Sequence, residues 1–143
     1  MQVSSVAAAT FAGLVVAASV AVACQTPMLD ALQANRVAAG SWGATGIQLT
    51  VAEREATVEY DCGHGSIDQP LTVDRSGRFS AVGTHVVEHG GPQADKEDRR
   101  PARYQGQVNG DTMQITITLT DSQQDLGTFT LKRGVTGRLH KCL

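Results

Sequence analysis

Three stretches of the chain alternate apolar and polar residues with a period of two. Ile47, Leu49 and Val51 are separated by Gln48 and Thr50. Ala56, Val58, Tyr60 and Cys62 alternate with Thr57, Glu59 and Asp61. Met113, Ile115, Ile117 and Leu119 alternate with Thr112, Gln114, Thr116, Thr118 and Thr120. Successive side chains of a strand point to opposite faces, so each stretch predicts a half-buried antiparallel strand, apolar inward and Thr-rich outward. Phe79 lies in a strand-like run over Arg78–Thr84, and Phe129 and Leu131 mark a late strand. The predicted inward set is Ile47, Leu49, Val51, Val58, Tyr60, Phe79, Met113, Ile115, Ile117, Leu119, Phe129 and Leu131.

Turn chemistry agrees with the period. Val108-Asn109-Gly110-Asp111 predicts a type I′ hairpin, because Asn-Gly accepts positive φ at both central positions. Asp74-Arg75-Ser76-Gly77 and Asp121–Asp125 predict further turns. Together these signals predict an all-β fold: one small antiparallel β-barrel or barrel-like sandwich of about seven or eight strands over residues 41–143.

The N-terminus follows another pattern. Val6–Ala23 carries no charge, is rich in Ala and Val, and closes on Ala21-Val22-Ala23 before Cys24. Small residues at that spacing fit a signal peptidase, so residues 1–23 are expected to be a signal peptide and the protein to be exported to a bacterial cell envelope. Met1–Ser5 lacks the usual Lys or Arg. The apolar run is near the lower limit of roughly 17–20 residues for a membrane span, and Ala adds little to insertion. Two forms of processing stay open. Cys24 stands where a lipoprotein cysteine stands, although Ala21 occupies a position where Leu is usual, and acylation there makes the membrane a partner. Simple cleavage after Ala23 leaves a soluble protein. Residues 24–40, with Thr26-Pro27 as a helix start and Met28, Leu29 and Leu32 on one side, read as a tether or a short helix.

Cysteine count bears on this choice. The chain has three cysteines. Lipidation of Cys24 leaves Cys62 and Cys142, an even number outside the cytoplasm, and predicts a disulfide between them. The alternative is a pair of free thiols. A loop of this length is worth about 4–5 kcal/mol in the chain-entropy account.

Two resemblances add to this reading. Gly40-Ser41-Trp42 at the start of the first strand, with a basic residue late in the last, resembles the lipocalin and avidin-type (calycin) signature. It implies that Trp42 plugs the closed end of a barrel while Lys132, Arg133 or Arg138 packs across its ring. Ordinary core packing of Trp42 is the other reading. The run from Thr57 to Leu71, with Glu88-His89-Gly90-Gly91-Pro92, Pro101-Ala102-Arg103-Tyr104 and the ending Lys141-Cys142-Leu143, resembles a family of small exported bacterial proteins. That resemblance carries no activity with it.

Candidate chemistry is sparse. His85-Val86-Val87-Glu88-His89 matches H-x-x-E-H, a zinc-peptidase motif that requires a helix. In the strand expected here, residues four apart lie roughly 13 Å apart, too far for one metal. His64, His89 and His140 fall near predicted strand ends, with Asp61, Asp68 and Glu88 close in sequence, and are weak candidates for a loop-built metal site. No cofactor motif is present. Gln93–Arg103, with mixed charge between Pro92 and Pro101, predicts an exposed loop. A net charge of −2 and 4% aromatic residues leave no basic footprint or stacking platform, which excludes nucleic acid as a partner.

Three functions fit: a non-enzymatic binding module for a small apolar ligand or a protein, a metal-dependent enzyme, or a structural or inhibitory envelope protein that binds another protein. A cavity lined by Val58, Tyr60, Phe79, Ile115 and Ile117 favours the first, gathered histidines the second, and a filled barrel with a flat, exposed apolar patch the third.

Overall fold

The computed structural model describes residues 35–89 and 98–142. The strands are β1 (Gly40–Ala44), β2 (Ile47–Val51), β3 (Ala56–Tyr60), β4 (Gly63–Ile67), β5 (Arg78–Val87), β6 (Arg99–Asn109), β7 (Thr112–Leu119) and β8 (Asp125–Arg133). Each pairs antiparallel with its neighbour in sequence, and β8 returns to β1 through Trp42↔Arg133 and Gly43↔Lys132. The sheet is therefore a closed barrel, which resolves barrel against sandwich. No helix occurs among the described residues.

Alternation places the core as the period predicts. Ile47, Leu49, Val58, Met113, Ile115, Ile117 and Leu131 are fully buried. Phe129 is only half-buried, beside the register shift at Ile117/Thr118. Trp42 and Tyr104 are the largest fully buried side chains. A closed barrel of eight strands has room for side chains only if large and small residues are matched across neighbouring strands. Here rings lie over glycines. Tyr104 fills the space a Cβ on Gly65 would need, and Phe79 does so for its register partner Gly106. The His85 ring covers Gly63 in the same way.

The hairpin at the β6–β7 turn differs from its prediction. Asn109 pairs with Thr112, so Gly110 and Asp111 are the central residues, and of these only Gly110 has positive φ (58°). Glycine at the first central position is the pattern of type II′ rather than I′. The Asp74–Gly77 turn forms as expected: Asp74 Oδ1 accepts from Ser76 N at 2.8 Å and Arg78 N at 3.0 Å, and Gly77 takes φ 78°.

One segment expectation is corrected. The loop expected over Gln93–Arg103 gives way to strand at its C-terminal end, since residues 99–103 belong to β6. Pro101 fits because its carbonyl accepts from Thr120 N, beyond the last β6–β7 rung at Ala102↔Leu119. Its ring nitrogen faces the same side, so no bond to β5 is lost, and Thr120 O, which a donor here would have reached, accepts from Gln123 Nε2 instead at 2.9 Å. Residues 35–39, at the end of the segment read as a tether or short helix, dock on the barrel. Val37 N donates to Leu71 O at 2.9 Å, Val73 N donates to Asn35 O at 2.7 Å, and Val37 is 5% exposed. With Trp42 Nε1 donating to Ala38 O at 3.0 Å, this segment seals the rim at which the chain enters the barrel. The expected signal segment and Cys24 lie outside the described residues.

Candidate functional site

The opposite rim gathers the polar chemistry. Antiparallel order brings four connections there: Thr45-Gly46, Asp61-Cys62, the segment after Val87, and residues 120–124. The C-terminal segment after β8 also ends there. Its course starts at Gly134, whose φ of 73° turns the chain back. Gly134 N then donates to Ser41 O at 2.7 Å. The segment crosses the outer face of β1 at Gly43, where a Cβ would overlap the backbone of Val135, Thr136 and Gly137. Only glycine on β1 allows this approach. Arg138 N donates to Ala44 O at 3.1 Å and Gly46 N to Arg138 O at 2.8 Å. Gly137 N donates to the Gln48 side chain. We call residues 134–142 the strap.

At the rim the strap meets an acidic seat. His140 N donates to Asp61 Oδ1 at 2.6 Å. Lys141 Nζ donates to Glu59 Oε2 at 2.6 Å and to Glu88 Oε1 at 3.3 Å. Glu88 also accepts from His64 Nδ1 at 3.0 Å. That bond from His64 holds the Glu88 carboxyl below its ordinary range, and Lys141 adds to the effect. Partial burial pulls the Lys141 ammonium down, but the bonds to Glu59 and Glu88 outweigh it and raise its pKa. The strap closes on a disulfide between Cys62 and Cys142, with Cα atoms 4.8 Å apart across a separation of 80 residues. Cys62 occupies a left-handed turn position (φ 57°), a conformation that costs of order 1–2 kcal/mol for a residue other than glycine.

Inside the same rim lies a short polar string. Tyr60 donates to the Tyr104 hydroxyl at 3.1 Å, which donates to Thr84 O at 2.7 Å. Burial pushes both phenols up. His85, 8% exposed, packs its ring against Tyr60 with centroids 5.3 Å apart, and its Nδ1 has no hydrogen-bond partner. Burial lowers the His85 pKa, and His64 and Arg100 push the same way.

The weak metal candidates separate into pairs. His64 joins Glu88, and His140 Nδ1 lies 3.9 Å from Asp61 Oδ1. His89 is exposed after β5, and Asp68 lies at the other rim, past the end of β4. Among the described residues no group of three or more His, Cys, Asp and Glu side chains comes within a metal's reach. The H-x-x-E-H run is strand through Val87, with His85 inward and His89 exposed. Of the cations considered for Trp42, Arg133 is its register partner but reaches Asp111 at 3.7 Å, and Lys132 donates to Thr112 Oγ1 at 2.9 Å.

Among the described residues, only Phe79 of the predicted ligand-lining set borders a groove, and that groove lies outside the barrel. Val58, Ile115 and Ile117 are 0% exposed, which leaves no water-sized void against them. A shallow groove of about 580 Å³ runs outside, along Thr72–Asp74, Arg78–Ser80, Gln105 and Gly106. A smaller one of about 250 Å³ lies by Arg36–Ala39, Ala52, Glu53 and Leu71.

Sequence reasoning placed Cys62, Cys142 and His64 but missed Glu59, Lys141, Gln48 and Gly43 as a seat and its occupant. Charge offered one signal: the C-terminal run holds Arg138, His140 and Lys141, opposite in sign to Glu59, Asp61 and Glu88. No protein-family model, curated protein or solved structure matches the chain.

Proposed function

We propose that the protein is an exported, non-enzymatic binding module of the bacterial cell envelope, anchored through acylated Cys24, that engages a protein partner with its outer surface. The observation that carries this reading is the filled barrel. Tryptophan, tyrosine and aliphatic side chains at zero exposure occupy the interior a carrier barrel keeps for its ligand. Binding then falls to the exterior. An anchor at Cys24 joins the barrel at Asn35, on the sealed rim, through a stretch that reaches roughly 40 Å at most. The strap-bearing rim then faces away from the membrane, where a partner approaches. The resemblance of Thr57–Leu71 to small exported proteins supports the same location.

Native mass spectrometry of the purified mature domain tests the reading. The expected mass is that of residues 24–143 with the acyl modification of Cys24, less the two hydrogens of one disulfide, with no further molecule retained. A stoichiometric apolar ligand or metal ion would overturn it in favour of a carrier or a metalloenzyme.

A further inference from the structure

We propose that the seat beneath the strap is a docking surface for a basic, extended segment of a partner protein, and that the strap is its built-in occupant, held by Cys62–Cys142 and released when that bond is reduced. This rests on the binding-module reading and specifies where and what it binds.

The first support is how little else holds the strap. The hydrophobic core takes no residue beyond Leu131. Val135 is 44% exposed, and the residues after it are exposed or half-buried. What remains is backbone hydrogen bonds at the surface and ion pairs between part-exposed groups. Water competes for all of these, so each retains little net free energy. The disulfide keeps the strap at high effective concentration over its seat, and loss of the bond removes that advantage.

The second support is complementarity. The strap brings Arg138, His140 and Lys141 to a surface that presents Glu59, Asp61 and Glu88. The seat also offers Ser41 O, Ala44 O, Gly46 N and the Gln48 side chain to an extended backbone. Gly43 leaves space for that backbone to cross β1. Main-chain bonds with side-chain charges at one end are how a protein surface recognises an extended peptide. The strap shows which peptide fits: small residues over Gly43 and basic residues at the rim.

The release step balances as thiol–disulfide exchange. A thiolate of an external dithiol attacks the bond, favoured at Cys142, which is exposed. The Cys62–Cys142 bond breaks, two electrons and two protons pass to the cysteines as thiols, and the donor closes its own disulfide.

The test uses the full mature chain in three forms: oxidised, reduced with dithiothreitol, and the Cys62→Ser/Cys142→Ser variant. Hydrogen exchange reads the amides of residues 134–142 against those of β2, β3 and β7. Nuclear magnetic resonance then follows titration with a synthetic peptide copying residues 134–143, serine replacing Cys142. The reduced and variant forms should lose strap protection and keep barrel protection. They should also show saturable shifts at Gly43, Gly46 and Asp61 that the oxidised form lacks. A probe with serine at its three basic positions should bind about tenfold more weakly, the summed effect expected of exposed ion pairs. Strap protection that survives reduction would overturn the proposal, as would barrel-wide loss of protection or equal probe binding in oxidised and reduced protein. None of these failures adds a ligand to the native mass spectrum, so the binding-module reading is tested separately.

Discussion

The barrel wall and the strap are both closely packed, by opposite means. The wall is held by apolar side chains at zero exposure, with rings set over glycines, and the polar groups of its strands are consumed by the ladders. The strap buries no large apolar side chain and is held by charge, backbone contacts and one covalent bond. Apolar burial is non-directional and cooperative, so the wall stands or falls as a unit. A covalently pinned polar segment has no such cooperativity and can leave alone. In this molecule, stability and adjustability are assigned to different parts of one small domain.

The sharpest break falls on the wall. Ile117 is fully buried, and Thr116 beside it faces outward, with its hydroxyl 2.7 Å from that of Thr128. Ile117→Asp places an unpaired charge in a filled interior and should lower stability by more than about 4 kcal/mol, enough to unfold a marginal domain. Thr116→Asp loses one solvent-side hydrogen bond and should cost less than about 1 kcal/mol. Thermal melts followed by circular dichroism separate the two. Equal effects would mean that the inward and outward faces of β7 are misassigned.

This contrast also explains what was legible in the sequence. β2, β3 and β7 announce themselves because their inward positions are Ile, Leu, Val, Tyr and Met. β4 has the same alternation, but Gly63 and Gly65 stand at inward positions, and the rings that fill their space come from β5 and β6. A period cannot be read where its apolar half is supplied by another strand. In β6, Pro101 and Gly106 interrupt the pattern, and neighbouring strands decide that the run is extended. The strap was legible only through Cys142. Its other contacts use backbone atoms, glycine and charges scattered across four elements, which no periodicity records.

A smaller effect tests the strap. If reduction left it seated, breaking Cys62–Cys142 would cost the full loop-closure term, about 4–5 kcal/mol for a separation of this size. If it swings free from Gly134, the native state regains most of the freedom of a short loop. Only the difference between an 80-residue loop and one of about ten residues then remains, about 2 kcal/mol. Chemical denaturation of wild type and Cys62→Ser/Cys142→Ser should therefore differ by about 2 kcal/mol. A difference near the full closure value would place the strap with the wall.

His85 blurs the division, because it is a titratable group inside the wall, and it gives the smallest effect. Its side chain is buried, Tyr60 packs against one side, and Nδ1 has no partner. Burial, with His64 and Arg100 nearby, holds its pKa below the ordinary 6.5, so the folded state takes up this proton only at a lower pH than the unfolded chain does. The unfolded chain takes up the proton as pH falls through about 6.5. Between that value and the lower folded pKa, the unfolded state binds more protons, so stability must fall as pH falls. It levels off only below the folded pKa. The loss between about pH 7.5 and 5.5 has a ceiling of about 1.4 kcal/mol, set by the unfolded chain's pKa alone. His85→Phe keeps a ring against Tyr60 and over Gly63 while removing the titration. Stability at neutral pH should hold or rise, and the acid slope should flatten by up to that amount relative to wild type. His64, His89 and His140 are common to both proteins, so the difference between the two pH profiles isolates His85. Parallel profiles would mean that His85 reaches water when protonated, and that this rim opens more readily than the sealed one.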